Sequence, residues 1–499
     1  MASSATAEGA FFMSARVEVM SAAVVEVVRA GSMAELRAAR DRASADIVEL
    51  RLDGVADIDV AAALHGRARP VIVTCRAHWE GGSFDGSEAD RLAILAEAVR
   101  LGAEYVDVEW KADRRLLPRS ERTTLVLSHH DFDGMPSDLE ARVRAMAAER
   151  PDVLKVAVTP KRLRDCLRLR DATRLDIPHV AIGMGPAGQL TRLCPVQFGS
   201  RWTYGGTAAP GQSSVADLMG TYRIGRQSER TQVFGVAGLP LAHSASPAMH
   251  NAAFAALDMD AVYVPFETAD AAELLEVAEA MALMGASVTA PLKTGVFALV
   301  PAHDALSARI GALNTLRRGP QGWEGRNFDV AGFLSPFERR GLRLEGKRAV
   351  VVGAGGAART AVWALQSKGA RVEVAARRRD RAQVLADEFG VGVAPLPPTP
   401  GWDLLVNTTP VGTWPAVDAS PLEPADVRGG AVYDLIYNPE QTALLRAAQA
   451  NGAETIGGLE MLVGQACHQF EWWTRRTAPR DVMAEAARAF LARAQDEHA

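Results

Sequence analysis

Between about residue 45 and residue 205, short apolar runs alternate with amphipathic stretches rich in Ala, Leu and Arg, and no other feature of the chain constrains its fold as much. The expected strands are residues 47–52, 71–75, 105–109, 124–128, 153–158 and 179–183, with helical patterns such as "SEADRLAILAEAVRLG" and "SDLEARVRAMAAER" between them. Repeated strand–helix units predict a parallel sheet, open or closed into a (β/α)8 barrel. A barrel makes a further demand, because its chemistry gathers at the C-terminal ends of the strands. The ends read accordingly: Glu49, Arg51 and Asp53 in "ELRLD", Arg76 in "VTCR", Glu109 in "VDVEW", and His129 and His130 in "LVLSHHDF".

One such strand, "PDVLKVAVTP", places Lys155 among apolar neighbours. The chain has only six lysines and uses arginine almost everywhere else for positive charge. Arginine keeps its proton near neutral pH, whereas a desolvated lysine becomes a neutral amine able to attack a carbonyl. Lys155 as nucleophile would form an imine with a ketone, an electron sink for removing a proton from the adjacent carbon. Histidine is the natural base for that step, His129 and His130 end the preceding strand, and a carboxylate such as Glu109 would orient the imidazole.

The length of 499 residues requires about two or three domains. Hydrophobic content of 48% with 23% charged residues belongs to a globular chain, and a net charge of −5 gives no reason to expect nucleic-acid binding. Cys75, Cys166, Cys194 and Cys467 are scattered, which suits a reducing compartment and predicts neither a disulfide framework nor a metal site. No apolar run approaches the ~20 residues of a membrane span. Residues 1–20 read as a loose extension, with Met13 or Met20 as alternative starts, and the expected location is the cytoplasm, an organelle form being the other possibility.

The motifs "DIVELRLD", "VTCRAHWEGG", "VDVEW", "LSHHDF", "LKVAV" and "APGQ" resemble type I 3-dehydroquinate dehydratase, in that family's order, across residues 21–225. The resemblance implies Lys155 as the Schiff-base lysine, His130 as the acid/base group and Glu109 as its orienting carboxylate. It implies that Glu49, Arg51, Arg76, Arg192 and Gln212 hold the substrate. Ala208 stands where the family usually has serine, and Thr207 is the nearest replacement.

After a polar boundary at 226–231 a second α/β pattern begins. "RAVVVGAGGAART" is a strand, a glycine turn and a helix start, in which Gly353, Gly355 and Ala358 fit G-x-G-x-x-A and Gly356 is an extra permissive position. The next strand ends in Ala376-Arg377-Arg378-Arg379 rather than an acid, which favours a 2′-phosphate and hence NADP(H). Lys293 in "GASVTAPLK" and Asp329 in "GRNFDVAG" are a candidate pair for moving the proton that accompanies hydride transfer. Ser244 and Ser246 lie on a loop before a helix, where Ser246 also reads as a cap with Pro247 following.

"AHSASP", "SVTAPLK", "GALNTL", "NFD", "GAGGAA", "NTTPVG" and "GGLEMLVGQA" resemble shikimate dehydrogenase from residue 232 to about 480. That resemblance implies Lys293 and Asp329 as the catalytic pair, with Ser244, Ser246, Thr289, Asn314, Tyr437 and Gln465 around the substrate. Gly353, Gly355, Gly356, Arg377, Arg378 and Asn407 would meet the cofactor. Ser287, Phe328 and Ala376 depart from residues common among relatives (Asn, Thr and Asn). The implied layout is a barrel at 21–225, a substrate lobe at 232–335 completed by 457–499, and a Rossmann lobe at 336–456. Together the resemblances imply a bifunctional enzyme that dehydrates 3-dehydroquinate and reduces 3-dehydroshikimate to shikimate with NADPH. The alternatives are a second half acting on quinate as well as shikimate, and a metabolite-sensing regulator built from such enzymes.

Overall fold

The computed structural model describes residues 21–206 and 212–496. The extension at 1–20 and the Thr207 and Ala208 positions lie outside the described residues. Eight parallel strands form the first sheet: β1 (Ala23–Arg29), β2 (Ile47–Arg51), β3 (Val71–Thr74), β4 (Tyr105–Glu109), β5 (Thr124–Asp131), β6 (Val153–Val158), β7 (His179–Gly183) and β8 (Trp202–Gly205). β1 pairs with both β2 and β8. The remaining seam, between β7 and β8, is closed by a His179–Ser200 bridge, with the Arg201 N–H donating to the His179 carbonyl at 2.9 Å. The sheet is therefore a barrel.

Its strands are buried on both faces, and the two-residue period divides the labour. Ile47, Ile72, Val126, Val153 and Trp202 pack together inside, while Val48, Leu50, Val73, Leu127 and Leu154 face the helices. Counting on by twos from the inner residues, and from Tyr105 packed beside them, leads to Glu49, Arg76, Asp107, Ser128, His130 and Lys155. The same face is thus apolar at the bottom of the barrel and ionic at the top.

The second sheet runs β10-β9-β11-β13-β14-β12. Its strands are β9 (Gln232–Gly238), β10 (Ala261–Glu267), β11 (Gly285–Val288), β12 (Ala302–His303), β13 (Thr315–Gly319) and β14 (Gly322–Arg326). The C-terminal helices Gly458–Thr474 and Arg480–Asp496 pack on it, Phe470 and Met483 sharing a core with Phe234, Phe254 and Tyr263. The third sheet comprises β15 (Arg348–Val352), β16 (Arg371–Ala375), β17 (Gly392–Val393), β18 (Leu404–Asn407), β19 (Ala431–Asp434) and β20 (Glu454–Ile456). All its strands are parallel, in the order β17-β16-β15-β18-β19-β20, the doubly wound arrangement of a Rossmann lobe.

The barrel and the second sheet share a hydrophobic core in which Leu190 and Leu193 meet Val262, Val264 and Phe266. Above it, the buried Glu273 carboxylate receives the Arg164 main-chain N–H at 3.3 Å and the Arg164 Nε at 3.2 Å. Among the described residues no helix is long and apolar enough to cross a membrane.

Candidate active sites

The top of the barrel opens into a cavity of about 340 Å³. Glu49, Arg51, Arg76, His130, Lys155, Arg192 and Gln212, all expected from the sequence, line it together with Glu80 and Tyr204. Lys155 Nζ donates to Asp107 Oδ2 at 2.9 Å, lies 3.7 Å from Glu49 Oε2 and sits 4.4 Å above the Tyr204 ring. Burial alone would strip its proton, as the sequence reading expected. Asp107 and Glu49 outweigh burial and hold the ammonium above the ordinary lysine range, so the resting group is a cation. Asp107, although buried, is kept far below the carboxylate range by Arg76 and Lys155.

His130 Nδ1 lies 2.9 Å from Glu80 Oε2. Burial, reinforced by the Arg76 charge, lowers the imidazole to about 4 and keeps it neutral, as a base must be. Burial would raise Glu80, but the His129 ring 3.6 Å away, the hydrogen bond to His130 and the Arg76 charge bring it to about 2. This corrects the expectation for Glu109, which does not orient His130. Its oxygens accept from Arg76 Nη1 at 3.0 Å, the Ala77 N–H at 2.9 Å and Arg91 Nη1 at 2.7 Å. Glu109 fixes Arg76, which also donates to Ser128 Oγ at 2.8 Å. The sequence reading missed Glu80, Asp107 and Arg91. Only Glu80 left a trace, four residues after Arg76 in "RAHWE".

A second cleft, of about 460 Å³, lies between the other two lobes. Thr289, Lys293 and Asp329 line one wall, and Gly356, Arg359 and Trp363 the other. Lys293 Nζ donates to Asp329 Oδ2 at 2.6 Å, and Asn314 Nδ2 donates to Asp329 Oδ1 at 2.8 Å. Gln465 stands beside Gly332, one turn along the helix that Asp329 begins. Ser244 and Ser246 follow β9, and Tyr437 follows β19 and packs against the C-terminal helices; none of the three lines the cleft. Ser246 is not a cap. It is the first residue of the helix Ser246–Ala256, whose N-cap is Ala245 without a side-chain bond. Phe328 turns from the cleft to stack on His468, with ring centroids 6.0 Å apart.

In the Rossmann lobe Gly353 has φ +122°, and a Cβ there would lie 2.3 Å from Thr408 Oγ1. Gly355 caps the helix Gly356–Ser367, and a Cβ on either Gly355 or Gly356 would meet no protein atom within 4 Å. Ala358 is fully buried and lets that helix lie close to the sheet. Arg377 and Arg378 are exposed just beyond β16. Uncapped helix N–H groups, two glycines open to one side and a pair of exposed guanidinium groups fit a dinucleotide with a 2′-phosphate. Asn407 does not meet the cofactor as expected. It is fully buried, donates to Asp434 Oδ1 at 2.9 Å and accepts the Thr409 N–H at 3.0 Å, so it shapes the turn after β18.

A barrel with a buried lysine at its upper face, joined to a substrate lobe and a Rossmann lobe, defines a two-site α/β enzyme. Family models match in register with this division: type I 3-dehydroquinase over 24–229, the shikimate dehydrogenase substrate binding domain over 236–316, shikimate/quinate 5-dehydrogenase over 337–398, and the shikimate 5′-dehydrogenase C-terminal domain over 458–488. The bifunctional 3-dehydroquinate dehydratase/shikimate dehydrogenase, chloroplastic, of Arabidopsis thaliana is 33% identical over 88% of this chain and 79% of its own. A shikimate dehydrogenase (NADP(+)) of Anaeromyxobacter sp. is 42% identical over 52% of this chain and 97% of its own. The crystal structure of a shikimate dehydrogenase in complex with NADP+ is 33% identical, with a TM-score of 0.51, covering 53% of this chain and 97% of that one. The chain belongs to the family of bifunctional 3-dehydroquinate dehydratase/shikimate dehydrogenases, a lyase and an oxidoreductase of the shikimate pathway on one polypeptide.

Proposed function

We propose that the barrel dehydrates 3-dehydroquinate through an imine on Lys155 and that the second half reduces the resulting 3-dehydroshikimate to shikimate with NADPH. The observation that carries the reading is Lys155 in one cavity with a neutral His130 anchored on Glu80. Lys155 passes a proton to the neutral His130 and attacks the ketone, and His130 returns that proton to the carbinolamine hydroxyl, which leaves as one water as the C=N bond forms. His130 takes a proton from the carbon beside the imine and returns one to the departing hydroxyl, so a second water leaves. Hydrolysis of the imine then consumes one water and frees Lys155. Arg51, Arg76, Arg192 and Gln212 hold the substrate's carboxylate and hydroxyls.

In the second half, bound NADPH supplies the hydride. Gly353, Gly355 and Gly356 admit the pyrophosphate, and Arg377 and Arg378 pair with the 2′-phosphate. Lys293 donates a proton to the oxygen that becomes the hydroxyl, and Asp329 holds that ammonium in place at 2.6 Å. Thr289 meets the substrate on the cleft wall, and Ser244, Ser246, Tyr437 and Gln465 contact it from beyond the residues that line that cleft. We divide the chain at 21–225, 232–335 with 457–499, and 336–456, and place it in the cytoplasm, with small molecules rather than nucleic acid as its partners. Recovery of the chain in an isolated organelle would overturn that location.

The test incubates the full chain and Lys155→Ala with 3-dehydroquinate and NADPH, identifies products by chromatography, and adds borohydride to a parallel sample. Shikimate from the parent alone, with substrate mass trapped on Lys155, is expected. Quinate as the main product would remove the biosynthetic order, and dehydration without trapping would remove the imine.

A further inference from the structure

Behind the Lys293–Asp329 pair the second sheet holds an unbroken file of buried hydrogen bonds that the reaction as described does not use. Tyr263 OH donates to Ser287 Oγ at 2.7 Å, and Ser287 Oγ donates to Gln469 Oε1 at 2.8 Å. Gln469 Nε2 donates to Thr315 Oγ1 at 2.9 Å and to the Asn314 carbonyl at 3.3 Å. Thr315 Oγ1 donates to Asn314 Oδ1 at 2.7 Å, and Asn314 Nδ2 donates to Asp329 Oδ1 at 2.8 Å. The file crosses β10, β11, β13 and the helix Gly458–Thr474, with Tyr263 and Thr315 at 0% exposure and Gln469 at 1%.

Two main-chain groups decide the direction of every bond after Tyr263. The Phe328 N–H donates to Asn314 Oδ1 at 2.9 Å, so the other end of that amide must turn its N–H toward Asp329. The Asn314 carbonyl can only accept, so Gln469 presents Nε2 to it and Oε1 to Ser287. Ser287 must then donate to Gln469 and accept from Tyr263. Thr315, already accepting from Gln469, is left to donate to Asn314. Val would suit position 315 equally well by burial and strand preference. What Thr adds there is the single hydroxyl that links the amide of Gln469 to the amide of Asn314.

We propose that Thr315 and Gln469 are positioning residues of the dehydrogenase reaction, fixing Asn314 and through it the Asp329 carboxylate that holds Lys293. The inference rests on the reading of Lys293 and Asp329 as the proton-transfer pair. In a dry interior an amide that loses one of its fixed partners is free to reorient, and a misplaced proton donor lowers turnover more than substrate affinity. Ser287, committed to Gln469 and Tyr263, belongs to this support as well.

The experiment measures shikimate oxidation with NADP+ by the full chain and by Thr315→Val, Thr315→Ser, Gln469→Met and Lys293→Ala. Dehydration of 3-dehydroquinate by each sample serves as the internal reference. Thr315→Val and Gln469→Met are expected to lose roughly tenfold in kcat, the scale of one buried hydrogen bond. KM for shikimate stays within about twofold and dehydration is unchanged, while Thr315→Ser, which restores the hydroxyl, recovers most of kcat. Parental kcat in either Thr315→Val or Gln469→Met would overturn the relay, as would an equal loss in Thr315→Ser. A parallel fall of both activities would overturn it too, since that is the mark of a general packing defect. Parental activity in Lys293→Ala would instead overturn the underlying reading of the pair.

Discussion

Two glutamates of the barrel site look interchangeable in the sequence and are given different work by their surroundings. Glu80 holds the proposed base, at 2.9 Å from His130 Nδ1, whereas Glu109 holds Arg76, the arginine proposed to bind substrate. Glu80→Gln is therefore expected to lower the dehydratase kcat by roughly ten- to a hundredfold with little change in KM, within the range general base catalysis supplies. Glu109→Gln should act mainly on KM, because Arg76 loses one of its two close charged partners and keeps only Asp107 at 2.9 Å. Steady-state kinetics of both variants check the split, and a reversed pattern would return Glu109 to the base. A second residue-scale consequence concerns acid. His250 is stacked 4.4 Å from the Tyr263 ring, and burial lowers its imidazole to about 3, while burial and Arg76 bring His130 to about 4. In the unfolded chain both rings titrate near the ordinary value of about 6.5. Below that pH the unfolded chain takes up protons that the folded chain refuses, so stability falls from about pH 6.5 down to the folded values. Melting temperature at pH 5 should lie below that at pH 7.5. His250→Phe, which keeps the aromatic stack, should shrink the difference; an unaltered difference would show that His250 contributes nothing to it.

The turn after β15 is the element proposed to admit the cofactor's pyrophosphate. Gly353 has φ +122°, a conformation side chains rarely adopt, and its missing Cβ leaves room for the Thr408 hydroxyl. Gly353→Ala should displace the turn, raise KM for NADP(H) by at least tenfold and leave dehydration untouched. A cofactor titration alongside the dehydratase assay reads both, and an unchanged KM would show that the turn does not carry the pyrophosphate. This element was legible in the sequence because glycines at that spacing have few other uses between a strand and a helix. β4, β6 and β7 were legible too, down to their ends, since short valine-rich runs between helical patterns mark the strands of a repeated strand–helix unit. β1 was missed because Glu26 interrupts "AVVEVVR", and β8 because "WTYG" is four residues long. β5 runs three residues past its expected end, since ladder bonds to β6 continue through Asp131. Glu80 escaped for a different reason. It sits on the short turn His78–Glu80, and no periodicity in sequence tells which way a turn residue points. Lys155 stood out in the sequence as an ammonium among apolar residues, but the carboxylates beside it, Glu49 of β2 and Asp107 of β4, are far away along the chain, so their hold on its charge did not.

At the scale of the whole molecule the barrel and the dehydrogenase are not two beads on a string. The short helix Gln189–Leu193, which carries Arg192 into the dehydratase cavity, packs Leu190 and Leu193 into the core that holds Val262, Val264 and Phe266 of β10. The loop after β6, the strand of Lys155, is anchored on Glu273, whose other oxygen accepts from Thr268 Oγ1 at 2.5 Å. Two supports of the lyase site thus stand on the oxidoreductase. Heat should then remove both activities together, with one midpoint for loss of dehydration and loss of shikimate oxidation. Phe266→Ala sharpens the test, because the residue lies in the oxidoreductase half and outside both cavities. Emptying so large a buried side chain costs about 3–5 kcal/mol, and the loss falls on a core that both halves share. Both inactivation midpoints are expected to drop by several degrees in step. If the dehydratase midpoint stays where it was while the dehydrogenase midpoint falls, the barrel stands alone and the shared core only holds the halves side by side.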